Sequence, residues 1–357
     1  MGVETVGTQS DKQGELNRAP RRTEIVKGKK RLLARMAGYL GLFDHILPFA
    51  RGRLIVFNYH RIRSDTPDFS TPFDDDVFGP TAFVLREQIK WLKKKAKIIS
   101  ESELIEIVHS GASPGKGCAL ITFDDAYRDN YDLAYPVLRE LGVSAIFFVP
   151  TDIIDTRRLG WWDIIAYLIK HTKKTSIDFE GSQFSMKSGR KEAIRFFQRK
   201  MALDMDRKTP RLIDRLQEIC EAPLPMPEEE EGQLMTWEQI RDMSRNGMTI
   251  GAHGHTHKAL ATLDQKSQWM EMSVSRDILD RELSLGINSI AYPVGGMQHF
   301  TEGTLQLAKR LGYQLGFSLN TGVNDWEKVD PHNIKRISAP DDLVLCKGAA
   351  LLPRIFI

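Results

Sequence analysis

Apolar residues fall along the chain in short unbroken runs. Each run ends in polar or turn-forming residues, and the runs alternate with stretches of helical period. Leu54-Ile-Val-Phe57 predicts a buried strand leading into Asn58-Tyr59-His60-Arg61. Ala119-Leu-Ile-Thr-Phe123 predicts a second strand, ended by Asp124-Asp125, and Ser144-Ala-Ile-Phe-Phe-Val149 a third, closed by Pro150. Phe83 to Leu92 reads as a helix burying Phe83, Leu85, Ile89 and Leu92, and another helix follows Ser102 as its cap. Asp132–Leu141 reads as a helix stopped by Gly142.

The rhythm resumes after residue 232. Thr236-Trp-Glu-Gln239 is a capping-box pattern opening a helix that ends at Gly247. Met248–Ala252 predicts a strand running into His253, and a long helix covers roughly Ser267 to Leu285. Ser289–Tyr292 predicts a strand ended by Pro293, followed by a helix from about Gly303 to Leu311 and a strand over Gln314–Ser318. Strands that are continuously apolar, separated by helices, indicate a parallel sheet covered on both sides. Six or seven such units point to a barrel or an open doubly wound sheet.

Residues 155–232 break this pattern and read as a mainly helical insertion carried on a loop, with Glu228–Glu231 a solvated run. Residues 65–80, rich in Asp, Pro, Ser and Thr, read as a loop. Residues 1–26 are polar and aperiodic and read as a mobile basic tail, while 338–357 form a C-terminal extension. Within 27–50, Leu32, Leu33, Met36, Tyr39, Leu40, Phe43, Ile46 and Leu47 recur at helical spacing. Residues 1–53 carry a net charge of +6 and the remainder −3. This basic amphipathic helix either packs on the domain or lies on an anionic membrane surface.

The 357 residues are 41% hydrophobic and 27% charged, enough for a sizeable core and too apolar for general disorder. No run is long and apolar enough for a membrane helix, and the start lacks a secretory pattern. Cys118, Cys220 and Cys346 lie far apart with no CxxC, which excludes a cysteine-based zinc module and fits a reducing compartment. The expected location is therefore cytoplasmic, with residues 27–50 as the candidate contact to the inner membrane surface. Nothing in the overall charge calls for nucleic acid.

Chemistry gathers where strands end, which in parallel β/α folds is the functional edge. Three of the nine histidines lie within His253-Gly-His-Thr-His257. His253 and His257, four apart, would face one side of a helical turn and suit a divalent metal, with His255 pointing elsewhere. Asp124 and Asp125 are neighbours whose side chains diverge, so one can ligate while the other handles protons; capping of the next helix is the plainer use. Two histidines and a carboxylate leave positions open for water and substrate. His60, one residue past a strand end, is either a structural histidine or, facing the same mouth, a general acid. Trp161, Trp162 and Asp163 either stack on sugar rings and bond hydroxyls, or the two tryptophans anchor the insertion.

Ile121-Thr-Phe-Asp-Asp-Ala-Tyr-Arg-Asp-Asn130, His253-x-x-x-His257 and Ala291-Tyr-Pro-Val-Gly295 resemble, in order, the motifs of polysaccharide deacetylases with the NodB-homology domain, carbohydrate esterase family 4. The resemblance spans about residues 52–337. It implies a deformed (β/α)7 barrel, a divalent metal that is usually Zn2+, and hydrolysis of N-acetyl groups on amino sugars of a polysaccharide or lipid-linked saccharide. Asp124 matches the general base, and Asp125, His253 and His257 match the metal ligands. The backbone N–H of Val294 matches the oxyanion donor, with Tyr59, Tyr292, Pro293, Trp162, Asp163 and Arg336 as candidate substrate contacts. Hydrolysis of O-acetyl esters or another linear amide, or a silent carbohydrate-binding role, are the alternatives.

Three departures stand out. The glycine usual after the Asp pair is Ala126, and the arginine that usually opens the third motif and orients the base is replaced by Ala291. Arg336 or Arg61 could supply that guanidinium. The C-terminal Leu-x-His strand is absent, and Tyr59-His60 resembles the N-terminal Tyr-His of a circularly permuted type, which assigns His60 the acid role.

Overall fold

The computed structural model describes residues 52–66, 71–111, 117–203 and 209–351, with isolated positions between 32 and 43. Seven parallel strands close into a barrel: β1 (Arg53–Tyr59), β2 (Cys118–Phe123), β3 (Ile146–Val149), β4 (Thr249–Ala252), β5 (Ser289–Ala291), β6 (Leu315–Thr321) and β7 (Ile334–Ser338). Each strand pairs with the next in chain order, and β7 returns to pair with β1. The (β/α)7 expectation is met. β7 carried no strand expectation: it is five residues long and its buried positions, Ile334, Arg336 and Ile337, follow no clean period.

The helices that surround the barrel and build the insertion include α1 (Ala82–Lys95), α2 (Glu101–Ser110), α3 (Tyr135–Leu141), α4 (Trp161–His171), α5 (Arg190–Ala202), α6 (Thr209–Cys220), α7 (Trp237–Arg245), α8 (Gln265–Leu283), α9 (Glu302–Arg310) and α10 (Leu343–Leu351). The period-2 geometry of β1 divides its side chains. Ile55 and Phe57 pack outward with α1 and α3, while Leu54 and Val56 join Leu120, Phe148 and Phe317 in an inner cluster. The same inward parity reaches Asn58 and, on β2, Thr122 and then Asp124. The barrel interior is thus oily below and polar at the carboxyl-end mouth.

Local expectations meet several corrections. Phe83 is 61% exposed, because α1 turns Leu85, Gln88, Ile89 and Leu92 inward. The cap of α2 is Ser100, two residues earlier than expected, with Glu103 closing a reciprocal capping box. The box at Thr236 and Gln239 forms as expected.

The 155–232 segment lies in the β3-to-β4 crossover and builds its own apolar core from α4, α5 and α6. It also holds an antiparallel hairpin, Ser176–Phe179 with Ser182–Ser185, that the helical reading missed. The signal was local: Ile177 and Phe179 alternate with Ser176 and Asp178, and Glu180-Gly181 turns with positive φ at both residues. α10, within the expected C-terminal extension, packs on α1. Of the 27–50 segment, Leu32 and Met36 are exposed, Phe43 is buried, and Gly38 abuts Val344 of α10; the tail 1–26 lies outside the described residues. All three cysteines are buried free thiols. Among the described residues no helix is long and apolar enough to cross a membrane.

Candidate metal and active site

Three side chains converge at the mouth. His257 Nε2 lies 3.2 Å from Asp125 Oδ1 and 3.2 Å from His253 Nε2, and His253 Nε2 lies 3.5 Å from Asp125 Oδ1. Donors bound tetrahedrally at about 2.0–2.1 Å sit about 3.3 Å apart, so this triangle has the size of one coordination face. His253 Nδ1 lies 2.8 Å from the Ala291 carbonyl, which only accepts, so that nitrogen carries the proton and Nε2 is bare. Asp125 Oδ1 is buried with no hydrogen-bond partner. His257 Nδ1 is also buried without a partner, and a bare His253 Nε2 3.5 Å from a carboxylate oxygen repels it unless a cation sits between them, so these residues fit a divalent metal.

The backbone that achieves this is not helical. The expected helical turn at 253–257 is a loop, in which Gly254 and His257 take positive φ of 70° and 54°. Glu271, reaching across from α8, accepts from the backbone N–H groups of His255 and Thr256 at 3.0 and 2.8 Å and from the Thr256 hydroxyl. His255 points away, its Nδ1 2.9 Å from Thr151 Oγ1, as expected. At the Asp pair, Asp125 and Ala126 both adopt left-handed φ, 71° and 55°. A tether offsets the missing glycine at Ala126: its carbonyl accepts from Met235 N–H at 2.9 Å, part of the segment that leaves the insertion.

Asp124 takes a different environment from its neighbour. Arg336 of β7 grips it end-on, Nη1 to Oδ1 at 2.8 Å and Nη2 to Oδ2 at 2.9 Å. Arg336 also donates to Asn58 Oδ1 at 2.8 Å and to the Ser318 carbonyl at 3.1 Å, and Asn58 Nδ2 donates to Asp124 at 3.1 Å. Burial alone would raise the Asp124 carboxyl, but the Arg336 charge, then the imidazoles of His253 and His60, outweigh it and hold it below the usual range. Asp125 is likewise lowered: burial is outweighed by the imidazoles packed around it, His253 and His257 first and then His60.

The choice between the two arginines is therefore decided by geometry. Arg61 is engaged elsewhere, its Nε 2.8 Å from Asp129 and its Nη2 2.9 Å from Gln233. His60 Nε2 stands 4.0 Å from both Asp124 and Asp125, a quarter exposed, facing the shared mouth.

Above these groups opens a cavity of about 390 Å³, lined by His60, Asp124, Asp125, His253, His257 and Val294, and walled by Trp161, Trp162, Gln198, His299 and Leu319. Val294 enters it with φ 60°, a conformation strained for a β-branched residue.

Several expected substrate contacts are corrected. Arg336 is fully buried behind Asp124. Tyr59 donates to Gln88 and Tyr292 to the His332 carbonyl, so both hydroxyls face away from the mouth. Pro293 is buried against Gly254. Asp163 is fully buried and accepts from Tyr127 Oη at 2.7 Å and Asp74 N–H at 3.0 Å. Trp162 is 7% exposed, its indole N–H on Tyr127 Oη and its ring 4.3 Å from that of His257, so it anchors the insertion against His257.

Asn58 and Glu271 were missed as functional. Asn58 is a polar residue at an inward strand position. Glu271 is an acid among inward positions of α8 (Met272, Ser275, Leu279). Both are polar residues where the pattern demands apolar ones.

Comparison with known proteins identifies the family. The polysaccharide deacetylase family model matches residues 111–316. YxkH of Bacillus subtilis (strain 168) is 24% identical over 236 residues, 66% of this chain and 57% of that protein. The poly-beta-1,6-N-acetyl-D-glucosamine N-deacetylase of Staphylococcus epidermidis is 31% identical over 115 residues, 30% of this chain and 39% of that one. The chain thus spans about half the length of the curated relatives it matches. The Streptococcus pyogenes deacetylase PplD in complex with acetate shares the fold, with a TM-score of 0.54 at 19% identity, over 82% of this chain and 94% of that one. Motif order, barrel and matched span lead to one conclusion: the chain belongs to the polysaccharide deacetylase family.

Proposed function

We propose that the chain is a divalent-metal-dependent hydrolase that removes N-acetyl groups from the amino sugars of a polysaccharide. The carrying observation is the Asp125, His253 and His257 triangle, with Asp124 and His60 on the same mouth. The staphylococcal relatives, named for an N-acetylglucosamine polymer, support this substrate kind.

A cation held by Asp125, His253 and His257, zinc by family resemblance, supplies water activation and carbonyl polarisation. Asp124 takes the water proton, its carboxylate kept ionised and aimed by Arg336 and Asn58. The Val294 N–H donates to the oxygen that becomes anionic as the water oxygen bonds the acetyl carbon. His60 gives a proton to the nitrogen as the C–N bond breaks, leaving acetate and a free amine, since an unprotonated amide nitrogen leaves poorly.

Metal analysis of the purified protein, with acetate release from N-acetylated amino-sugar oligomers, tests this reading. Asp125→Ala and His257→Ala are expected to lose both metal and activity; full activity in either variant sinks the metal assignment. The segment 27–50, with exposed Leu32 and Met36, is proposed as a peripheral membrane contact. Release from the membrane fraction at high salt is expected.

A further inference from the structure

One wall of the cavity comes from outside the barrel. α5 of the insertion lines it with Arg195, Gln198, Arg199 and Ala202. Lys191, Arg195 and Arg199 recur at four-residue spacing, so they form a basic stripe along one side of α5 that runs into the mouth. Two carboxylates face this stripe. Asp76 receives both Lys191 Nζ at 2.6 Å and Arg195 Nε at 2.8 Å. Asp74 is 6% exposed and occupied by Gln198 Nε2 at 2.7 Å and the Asp76 N–H at 2.9 Å.

Arg199 has no carboxylate within 4.0 Å among the described residues; its Nε donates to the Arg195 carbonyl at 3.1 Å. Asp124 is already neutralised by Arg336 and cannot serve as its counter-charge. A guanidinium held by its Nε on the cavity wall keeps its two remaining nitrogens as a fork for an oxyanion.

We propose that Arg199, backed by Arg195, is a specificity residue that binds an anionic group on the saccharide, a phosphate or a carboxylate flanking the N-acetylated sugar. The inference rests on reading this cavity as a saccharide site. The substrate class is then an amino-sugar glycan that carries a phosphate or a carboxylate. Recognition lies on the insertion and hydrolysis on the barrel, so the two are separable by mutation.

Isothermal titration on the zinc-replete full chain at low salt tests this. The probes are N-acetylglucosamine, N-acetylglucosamine 1-phosphate, and a disaccharide of glucuronate with N-acetylglucosamine. At least one anionic probe is expected to bind about tenfold more tightly than the neutral sugar, as one charge-assisted contact provides. Which of the two does so identifies the oxyanion. Arg199→Gln is expected to bring that preference within about twofold. Lys200→Gln, which removes the same charge where Lys200 pairs with Glu180, is expected to keep it. Equal binding of all three probes, or an undiminished preference in Arg199→Gln, overturns the proposal. An intact preference without acetate release would instead overturn the hydrolase reading and leave the anion site standing.

Discussion

Replacing Arg336 by Met tests the least exposed part of the mechanism. The side chain is fully buried and makes two hydrogen bonds to Asp124, one to Asn58 and one to the Ser318 carbonyl. Methionine fills similar volume but leaves a buried carboxylate facing one amide. Breaking a buried pair by removing one partner costs about 3–5 kcal/mol. At about 2 °C per kcal/mol for a domain this large, the melting temperature should fall by about 6–10 °C.

The pH dependence gives a sharper test. In the wild type the Asp124 carboxyl is lowered, so its contribution to stability is complete above the ordinary carboxylate range and is lost as the pH falls through the lowered value. Without Arg336, burial dominates and the carboxyl moves up. The stability gap between wild type and Arg336→Met should therefore widen as the pH rises from about 4.5 to 7.5. The acid limb of kcat/KM should move to higher pH in the variant, because the base stays protonated longer. Urea titrations at both pH values and a pH-rate profile on the same preparations measure this. A gap that is constant or narrows with pH, or an unmoved acid limb, refutes the pairing argument.

His60→Gln should lower kcat for N-acetyl substrates by about 10²–10⁴-fold, with a smaller loss on O-acetyl esters, whose alkoxide leaves more easily than an amide anion; equal losses on both would remove the acid role. Asp163, pushed up to about 6 chiefly by burial, contributes stability below its ordinary value that is lost as the pH rises toward 6. Urea titration should find Asp163→Asn gaining on wild type by about 3 kcal/mol between pH 4 and 7; no relative gain counts against a protonated buried Asp163. Glu271→Gln should loosen the His253–His257 loop and weaken metal affinity by about 10–100-fold in chelator competition, as partners behind metal ligands generally do. Unchanged affinity would show that the loop holds its shape without that carboxylate.

The residues that read most plainly are those whose neighbours carry the signal. Asp124 and Asp125 follow an apolar strand, and His253 follows another, so strand ends and chemistry coincide within a few letters. Arg336 was one of two candidates because its partner lies 212 positions away, and only closure of β7 against β1 brings them together. The hairpin at Ser176–Ser185 was hidden by a longer helical context, although its alternation and turn were present. Tyr59 and Tyr292 misled because a residue at a strand end can point either way along the pleat.

By itself the amino-acid order determined the β/α alternation, the capping box at Thr236 and Gln239 and the polar clusters at strand ends. These depend on hydrophobic period and on hydrogen bonds reaching three or four residues, which a linear reading captures. The tertiary structure alone decided that Arg336 and not Arg61 grips Asp124, that Glu271 braces the histidine loop, and that α5 supplies a basic wall over the mouth. Those pairings join segments whose separation in space is set by barrel closure and by the folding-back of the insertion. Charge and packing act through space, and their reach has no counterpart in spacing along the chain.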